Sequence, residues 1–300
     1  MRLYTFEIEG RRTIGAEWNH RLLDLNAAHE AVAPETLAQR IPRDMLTFIQ
    51  GGERMLDAAR ETLRAADSRF SYSLDDVRLC APLSRPGKIL CSGLNYRSHI
   101  QENPKAVFPE EPDVFSKVPS VVIGPGDPIV IPPMSKQVDY EVEFAVVIGT
   151  VMKHTPLEQV MGHIFGYTIL HDVSARDVQF KPNGRTRGKN FDTFAPLGPC
   201  IVTVDELTAP DNCYLRSYLN GQVMQDGTTR DWLFPLPVFL NYLSSIMTLE
   251  PGDILSTGTP AGVGYFKKPQ VFLKPGDICV LEIEYIGRLE NPVIAYSEQR

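Results

Sequence analysis

Apolar and polar positions alternate through "RLYTFEIEG" and "TIGAEW" near the start of the chain and again in "RLLDLNAA", each stretch closed by glycine or polar turn residues. A period of two predicts short strands. The spacing then turns helical through "PRDMLTFIQGGERMLDAARETLRAAD". "SYSLDDVRLCAPLSRPGK" reads as a linker containing a strand, and beyond it Pro and Gly divide the chain into many short strands up to the C-terminus. The pattern predicts an α+β protein that is mostly β, with a small N-terminal α+β unit at residues 1–75 and a larger β-rich unit at 76–300.

One predicted strand breaks its own pattern. "VDYEVEFAVVIGT", Val138 to Thr150, has the apolar content of a core strand yet carries Glu141 and Glu143, which alternation places on one face opposite Val142 and Phe144. An ionised carboxylate is costly to bury alone, so this face needs a cation, Arg or Lys partners, or a solvent-filled cleft. The other reading is a half-exposed strand whose outer face holds Asp139, Glu141 and Glu143.

Composition narrows the field. Of 300 residues 43% are hydrophobic and 22% charged, which fits an ordinary globular chain and argues against disorder. A formal net charge of −7 without a basic stripe argues against nucleic-acid binding. The longest apolar runs are too short for a membrane span, and "MRLYTFEIEG" lacks the apolar core of a signal peptide, so a cytoplasmic location is expected, with the mitochondrial matrix as the other option if a transit peptide has been removed. Cys80, Cys91, Cys200, Cys213 and Cys279 form no C-x-x-C pair and read as reduced core thiols.

Five more stretches bear on a site. "GYTILHDVSARDVQ" places Asp172 at a strand end before an expected helix start with Ser174 as N-cap and Asp177 in a capping role. Asp172 with the two glutamates would make a hard oxygen site for Mg²⁺, Mn²⁺ or Ca²⁺, whereas His171 reads as structural. "RGKNFDTFAPLGPC" puts Lys189 in a Gly-flanked, aromatic-rich turn where it either meets a bound anion or stays solvated. In "CSGLNYRSHIQEN" His99 and Glu102 are three residues apart, which suits an acid–base pair or a surface ion pair. The Pro-rich "PKAVFPEEPDVFSKVPS" after it reads as a lid, and "GDILSTGTPAGVG" is a strand entering a Gly-rich loop where the Thr259 hydroxyl and backbone amides can cradle a carboxylate.

Taken in order, "GLNYRSH", "VDYEVEFAVVIG", "HDVSARD", "GKNFDTFAPLGP" and "LEPGDILSTGTPAGVG" resemble the fumarylacetoacetate hydrolase family from about Lys88 to the C-terminus. "FIQGGE", "FSKVPS" and "GYFKKPQVFLKPGD" are most similar to the group of that family containing its domain-containing protein 2. The resemblance implies a β-roll fold that forms homodimers, with a Mg²⁺ or Mn²⁺ site on Glu141, Glu143 and Asp172. It further implies a lid dyad at His99 and Glu102, an oxyanion lysine at Lys189, and substrate contacts at Arg176, Gln179 and Thr259. The implied activity is metal-dependent chemistry on small 2-oxo acids through an enolate. Hydrolytic C–C cleavage of an acylpyruvate-like 1,3-dicarbonyl acid is the first expectation, oxaloacetate tautomerisation or decarboxylation the alternative, and a non-catalytic metal-binding protein the minor one. "NGQVMQDGTTRDWLF" departs from the family pattern at Asp226, Arg230 and Trp232; Trp232 reads as core packing, or else as a pocket wall that alters the accepted acyl group.

Overall fold

The computed structural model describes residues 1–32 and 40–298. The alternating N-terminal stretches form β1 (Arg2–Ile8), β2 (Arg11–Trp18) and β3 (Arg21–Asp24), an antiparallel meander. After α1 (Leu25–Val32), the long helical pattern is two helices, α2 (Met45–Gln50) and α3 (Glu53–Ala65). They are separated at Gly51 and Gly52, the latter at φ +59°, a conformation glycine adopts without strain. Asp44 caps α2 by accepting the Thr47 N–H at 2.8 Å. The linker supplies β4 (Ser71–Tyr72) and β5 (Arg78–Cys80).

The remaining elements are β6 (Ile89–Gly93), α4 (Arg97–Gln101), β7 (Asp113–Lys117), β8 (Val122–Ile123), β9 (Ile129–Ile131), β10 (Val138–Asp139), β11 (Val142–Ile148), β12 (Ile164–His171), β13 (Ser174–Ala175), α5 (Arg176–Gln179), α6 (Arg185–Lys189), β14 (Ala195–Thr203), β15 (Tyr214–Leu219), β16 (Gln222–Thr228), α7 (Leu236–Ile246), β17 (Ile254–Ser256), β18 (Ile278–Ile283) and β19 (Gly287–Ala295). The α+β, mostly β expectation holds. A twelve-stranded sheet runs β4-β3-β2-β1-β14-β12-β11-β17-β6-β7, with β5 on β1 and β8 on β14; a five-stranded sheet runs β16-β15-β18-β19-β9, and β10 pairs with β13 alone. Because β1 hydrogen-bonds to β14, with Arg2 opposite Val202, the N-terminal strands continue the sheet that carries β11.

That placement settles which surfaces of β11 are dry. Phe144, Val146 and Ile148 enter one core with Leu215, Leu281 and Leu289 of the second sheet, while Ala145 and Val147 enter another with Phe48, Ile49 and Met55 of the N-terminal helices. Every residue of β11 is buried. The five cysteines are free and buried, as expected. Trp232 packs edge-on against Phe144 at 5.8 Å in the first core, which selects the packing reading over the pocket-wall reading. Asp226 is exposed and pairs with Arg216, and Arg230 is exposed. Among the described residues no helix is long and apolar enough to cross a membrane.

Candidate active site

The predicted strand from Val138 to Thr150 is interrupted. Tyr140 and Glu141 leave the ladder between β10 and β11, because Asp139 turns inward and gathers backbone donors: Tyr140 N at 2.9 Å, Gly264 N at 2.7 Å and Tyr265 N at 3.0 Å. A Cβ on Gly264 would lie 1.7 Å from the Val271 carbonyl and 2.7 Å from Asp139 Oδ1, so this approach admits only glycine. The half-exposed reading of the acidic face fails. Asp139, Glu141 and Glu143 are 0%, 4% and 1% exposed, since β12 and β17 flank β11 and the two cores cover its faces.

Three buried cations meet these acids. Arg176, the first residue of α5, donates from Nε to Asp139 at 2.9 Å and from Nη2 to Glu141 at 2.6 Å. Lys189, the last residue of α6, bridges Glu141 at 2.6 Å and Asp172 at 2.5 Å. Lys117, at the end of β7, donates to the other Asp172 oxygen at 2.6 Å and to the Val173 carbonyl at 3.2 Å. Sequence reasoning does not single out Lys117 within "FSKVPS"; the signal that could have found it is a lysine two residues after Phe115, on the same face of the strand.

Among the described residues Glu143 has no cation of its own, and it takes a hydrogen bond from Ser256 Oγ. Burial, reinforced by the charges of Asp172 and Glu141, pushes its pKa well above the usual carboxylate range. For Glu141 the same burial is outweighed by Arg176 and Lys189, and its pKa lies well below that range. Burial works against the Lys189 proton, but Asp172 and Glu141 overcome it and raise its pKa, so the ammonium persists. Four buried carboxylates thus face three buried cations, and a divalent ion on Glu141, Glu143 and Asp172 would reverse the sign of that imbalance. Each carboxylate oxygen has a second lone pair for it. Glu143 and Asp172 also lie within 4.8 Å of Cys91 Sγ. Burial, then Asp172 and Glu143, hold the Cys91 thiol protonated, so the donor set is hard oxygen and suits Mg²⁺ or Mn²⁺.

His99, Arg176, Gln179, Lys189 and Thr259 line the same cavity of about 230 Å³ beside the three acids, while Glu102 stands outside its wall and reaches it through His99. His99 Nδ1 lies 2.6 Å from Glu102 Oε2, and the second Glu102 oxygen accepts the Gly262 N–H at 2.8 Å. The carboxylate therefore fixes Nδ1 as the protonated nitrogen and leaves Nε2 to exchange a proton. Asp231 holds the helix start through the Ser98 N–H at 2.8 Å. Part of the Pro-rich stretch expected as a lid is regular structure: Asp113–Lys117 is β7, paired in register with β6.

Three expectations need correction. Ser174 lies in β13 and donates to the Asp172 carbonyl at 2.9 Å; α5 begins at Arg176 with Ala175 before it and no side-chain cap. Asp177 ties down a different turn, accepting from Ser135 Oγ at 2.6 Å and Lys136 N at 2.8 Å. Thr259 lines the cavity, yet its hydroxyl donates to the Val142 carbonyl at 2.9 Å and accepts from Gln225 Nε2 at 2.7 Å, so its proton is not free for an anion. His171 is structural in placement: it is buried beside Asp172, and burial lowers its pKa to about 3, with Lys117 adding to the effect, so the ring is neutral.

The family model for the fumarylacetoacetate (FAA) hydrolase C-terminal region matches residues 88–294. Human "Oxaloacetate tautomerase FAHD2A, mitochondrial" is 44% identical over 256 residues, covering 85% of this chain and 81% of that protein. Among solved structures, a fumarylacetoacetate hydrolase from Exiguobacterium antarcticum superposes with a TM-score of 0.84 at 37% identity, covering 98% of this chain and 99% of the other. Maleylpyruvate hydrolase from Sphingobium sp. SYK-6 in complex with manganese (II) ion and pyruvate gives 0.79 at 29% identity, with 98% and 99% covered. A buried Glu-x-Glu pair, the Asp172 and Lys189 that join it, a His–Glu dyad across the same cavity and these matches over most of the chain lead to one assignment: the chain belongs to the fumarylacetoacetate hydrolase family.

Proposed function

We propose that the protein is a divalent-metal-dependent enzyme that interconverts the enol and keto forms of oxaloacetate or a close 2-oxo acid. The observation that carries the reading is Glu143, a buried carboxylate with no cation of its own among the described residues, in a cavity that also holds a protonated lysine and a His–Glu dyad. Glu141, Glu143 and Asp172 would hold the metal. When bound, a divalent cation supplies Lewis-acid polarisation to a chelating 2-oxo acid. The names of the human relative and of others at 42–45% identity favour tautomerisation over the hydrolysis expected first.

The chain's own groups supply the rest. His99, with its Nδ1 proton engaged by Glu102, takes a proton at Nε2 from the carbon next to the 2-oxo group and returns it in the opposite direction. The negative charge that moves to the 2-oxo oxygen meets the Lys189 ammonium, kept charged by Asp172 and Glu141. Gln179 lines the cavity and accepts from Arg176 Nη1 through Oε1 at 3.0 Å, which leaves its amide N–H donors for the substrate carboxylate. The proton that His99 Nε2 takes from carbon is the one it gives to the 2-oxo oxygen, so His99 ends neutral and no water is consumed.

The same dyad could activate water against a second carbonyl, which gives acylpyruvate hydrolysis as the competing outcome. A Mg²⁺- or Mn²⁺-dependent assay decides between them, following oxaloacetate enol-to-keto conversion beside pyruvate release from acetylpyruvate, with Glu141→Ala as control. Fast tautomerisation lost in the control supports the proposal. Pyruvate release with slow tautomerisation replaces it with hydrolysis, and no metal-dependent turnover of either compound overturns both.

A further inference from the structure

Three cationic side chains line the cavity beside His99, and they differ in what engages them. Arg176 and Lys189 are buried and bound to internal carboxylates. Arg185 is 45% exposed and reaches the cavity from one helical turn before Lys189 on α6. Residues four apart share a helix face with Cβ atoms about 5–6 Å from each other, a span comparable to the distance between the two ends of a four-carbon acid. One aromatic ring supports both cations: the Arg185 guanidinium lies 5.6 Å and Lys189 Nζ 4.9 Å from the centre of Phe115.

Arg185 is also aimed. Its Nη1 donates to Asp113 Oδ1 at 2.6 Å, and among the described residues this is its one hydrogen bond. Asp113 is fixed in turn, opposite Gly93 in the β6–β7 ladder, where a Cβ on Gly93 would fall 2.6 Å from Asp113 Oδ2. A guanidinium carries five donors in a planar fork, so a single bond to Asp113 orients it while an edge stays open for a second carboxylate. A partly exposed pair of this kind is weak, so Asp113 does not hold Arg185 against a second carboxylate.

We propose that Arg185 is the specificity-determining residue for a distal carboxylate, selecting dicarboxylic 2-oxo acids over their monocarboxylic counterparts. The inference rests on the reading of the cavity as a 2-oxo acid site. Lys189 and a divalent ion would engage the carboxylate and 2-oxo end, and with that ion in place the four buried carboxylates and the three buried cations Arg176, Lys189 and Lys117 are left with one positive charge, which a single anionic group balances. A second carboxylate needs a further cation one helical turn away, and Arg185 occupies that place.

The test uses the Mn²⁺-loaded protein and two four-carbon probes, freshly dissolved oxaloacetate and 2-oxobutyrate, which lacks the distal carboxylate. Calorimetric titration gives the binding of each, and steady-state assays give KM and kcat for oxaloacetate. Arg185→Gln is expected to weaken oxaloacetate binding about tenfold to a hundredfold, the range for loss of a charged hydrogen bond, while 2-oxobutyrate moves less than about twofold on the same scale. KM rises and kcat changes far less. Arg185→Lys should fall between, and Arg187→Gln, which removes the same charge from the same helix outside the cavity, should preserve discrimination. Equal losses for both probes, no loss for oxaloacetate, or the same loss in Arg187→Gln overturns the proposal. If the wild-type protein turns over no oxaloacetate but discriminates between the probes through Arg185, the tautomerase reading falls and the subsite stands. Turnover that is indifferent to Arg185 keeps the tautomerase reading and removes the subsite, and binding of neither probe removes both.

Discussion

Asp172 and Lys117 form an ion pair from which solvent is excluded: Nζ to Oδ1 is 2.6 Å and both side chains are 0% exposed. Asp172 lines the cavity and Lys117 does not, and the other Asp172 oxygen belongs to Lys189. Removing one partner of a buried pair strands the other charge. Lys117→Met is therefore expected to lower metal-free stability by about 3–5 kcal/mol in chemical denaturation. Added Mn²⁺ should restore part of the loss by supplying positive charge to Asp172, so the metal-induced rise in Tm should exceed the wild-type rise. Equal rises would mean that Asp172 does not meet the ion.

Glu143 leads to a prediction of opposite sign. A carboxyl whose pKa is raised by folding stabilises the fold below its unfolded value, about 4.3, and loses that contribution as pH climbs through the folded value. Glu143→Gln keeps an acceptor for Ser256 and removes the ionisation. The metal-free variant should be more stable than wild type at neutral pH by about 1–3 kcal/mol, with the difference fading near pH ~4. Its Mn²⁺-induced rise in Tm should disappear. A destabilised metal-free variant at neutral pH would contradict the electrostatic account.

The dyad can be separated from folding. His99 lines the cavity and, among the described residues, its ring hydrogen-bonds Glu102 alone, so His99→Asn should leave Tm nearly unchanged. Loss of a general base lowers kcat by about 10²–10⁴-fold, and Glu102→Gln should cost less because the imidazole remains. Unchanged kinetics would reduce the pair to a lid tether.

Arg176 and Gln179, which the family resemblance groups together as substrate contacts, should behave differently. Arg176 binds Asp139 and Glu141 inside the fold, so Arg176→Met should destabilise by about 3–5 kcal/mol whatever it does to substrate. Gln179→Ala should raise KM with little change in Tm, because Gln179 lines the cavity and, among the described residues, its side chain hydrogen-bonds Arg176 alone. Thermal melts beside KM values check this; a Gln179 variant as unstable as the Arg176 one would reverse the distinction.

Much of this arrangement is legible without coordinates. Period-two alternation locates β1, β2 and β11, and the odd placement of Glu141 and Glu143 in an apolar run points to charge facing something inside, because local geometry alone fixes which side chains share a face. The His99 and Glu102 spacing foretells their contact for the same reason. Ser174 escapes such reasoning because a helix-start signature competes with a sheet bridge, and pairing of β13 with Val138 and Asp139 wins.

Local features thus follow from chain order alone: the strand pattern, the acids, the dyad and the family to which these motifs belong. Which charges meet depends on the folded chain. Lys117, Asp172 and Lys189 come from three separate segments, and Asp139 is drawn away from the cavity by the backbone amide of Gly264, which lies far along the chain. Burial and counter-charge depend on chain segments that no local pattern relates, and they set which carboxylate stays ionised and which one is left for a metal.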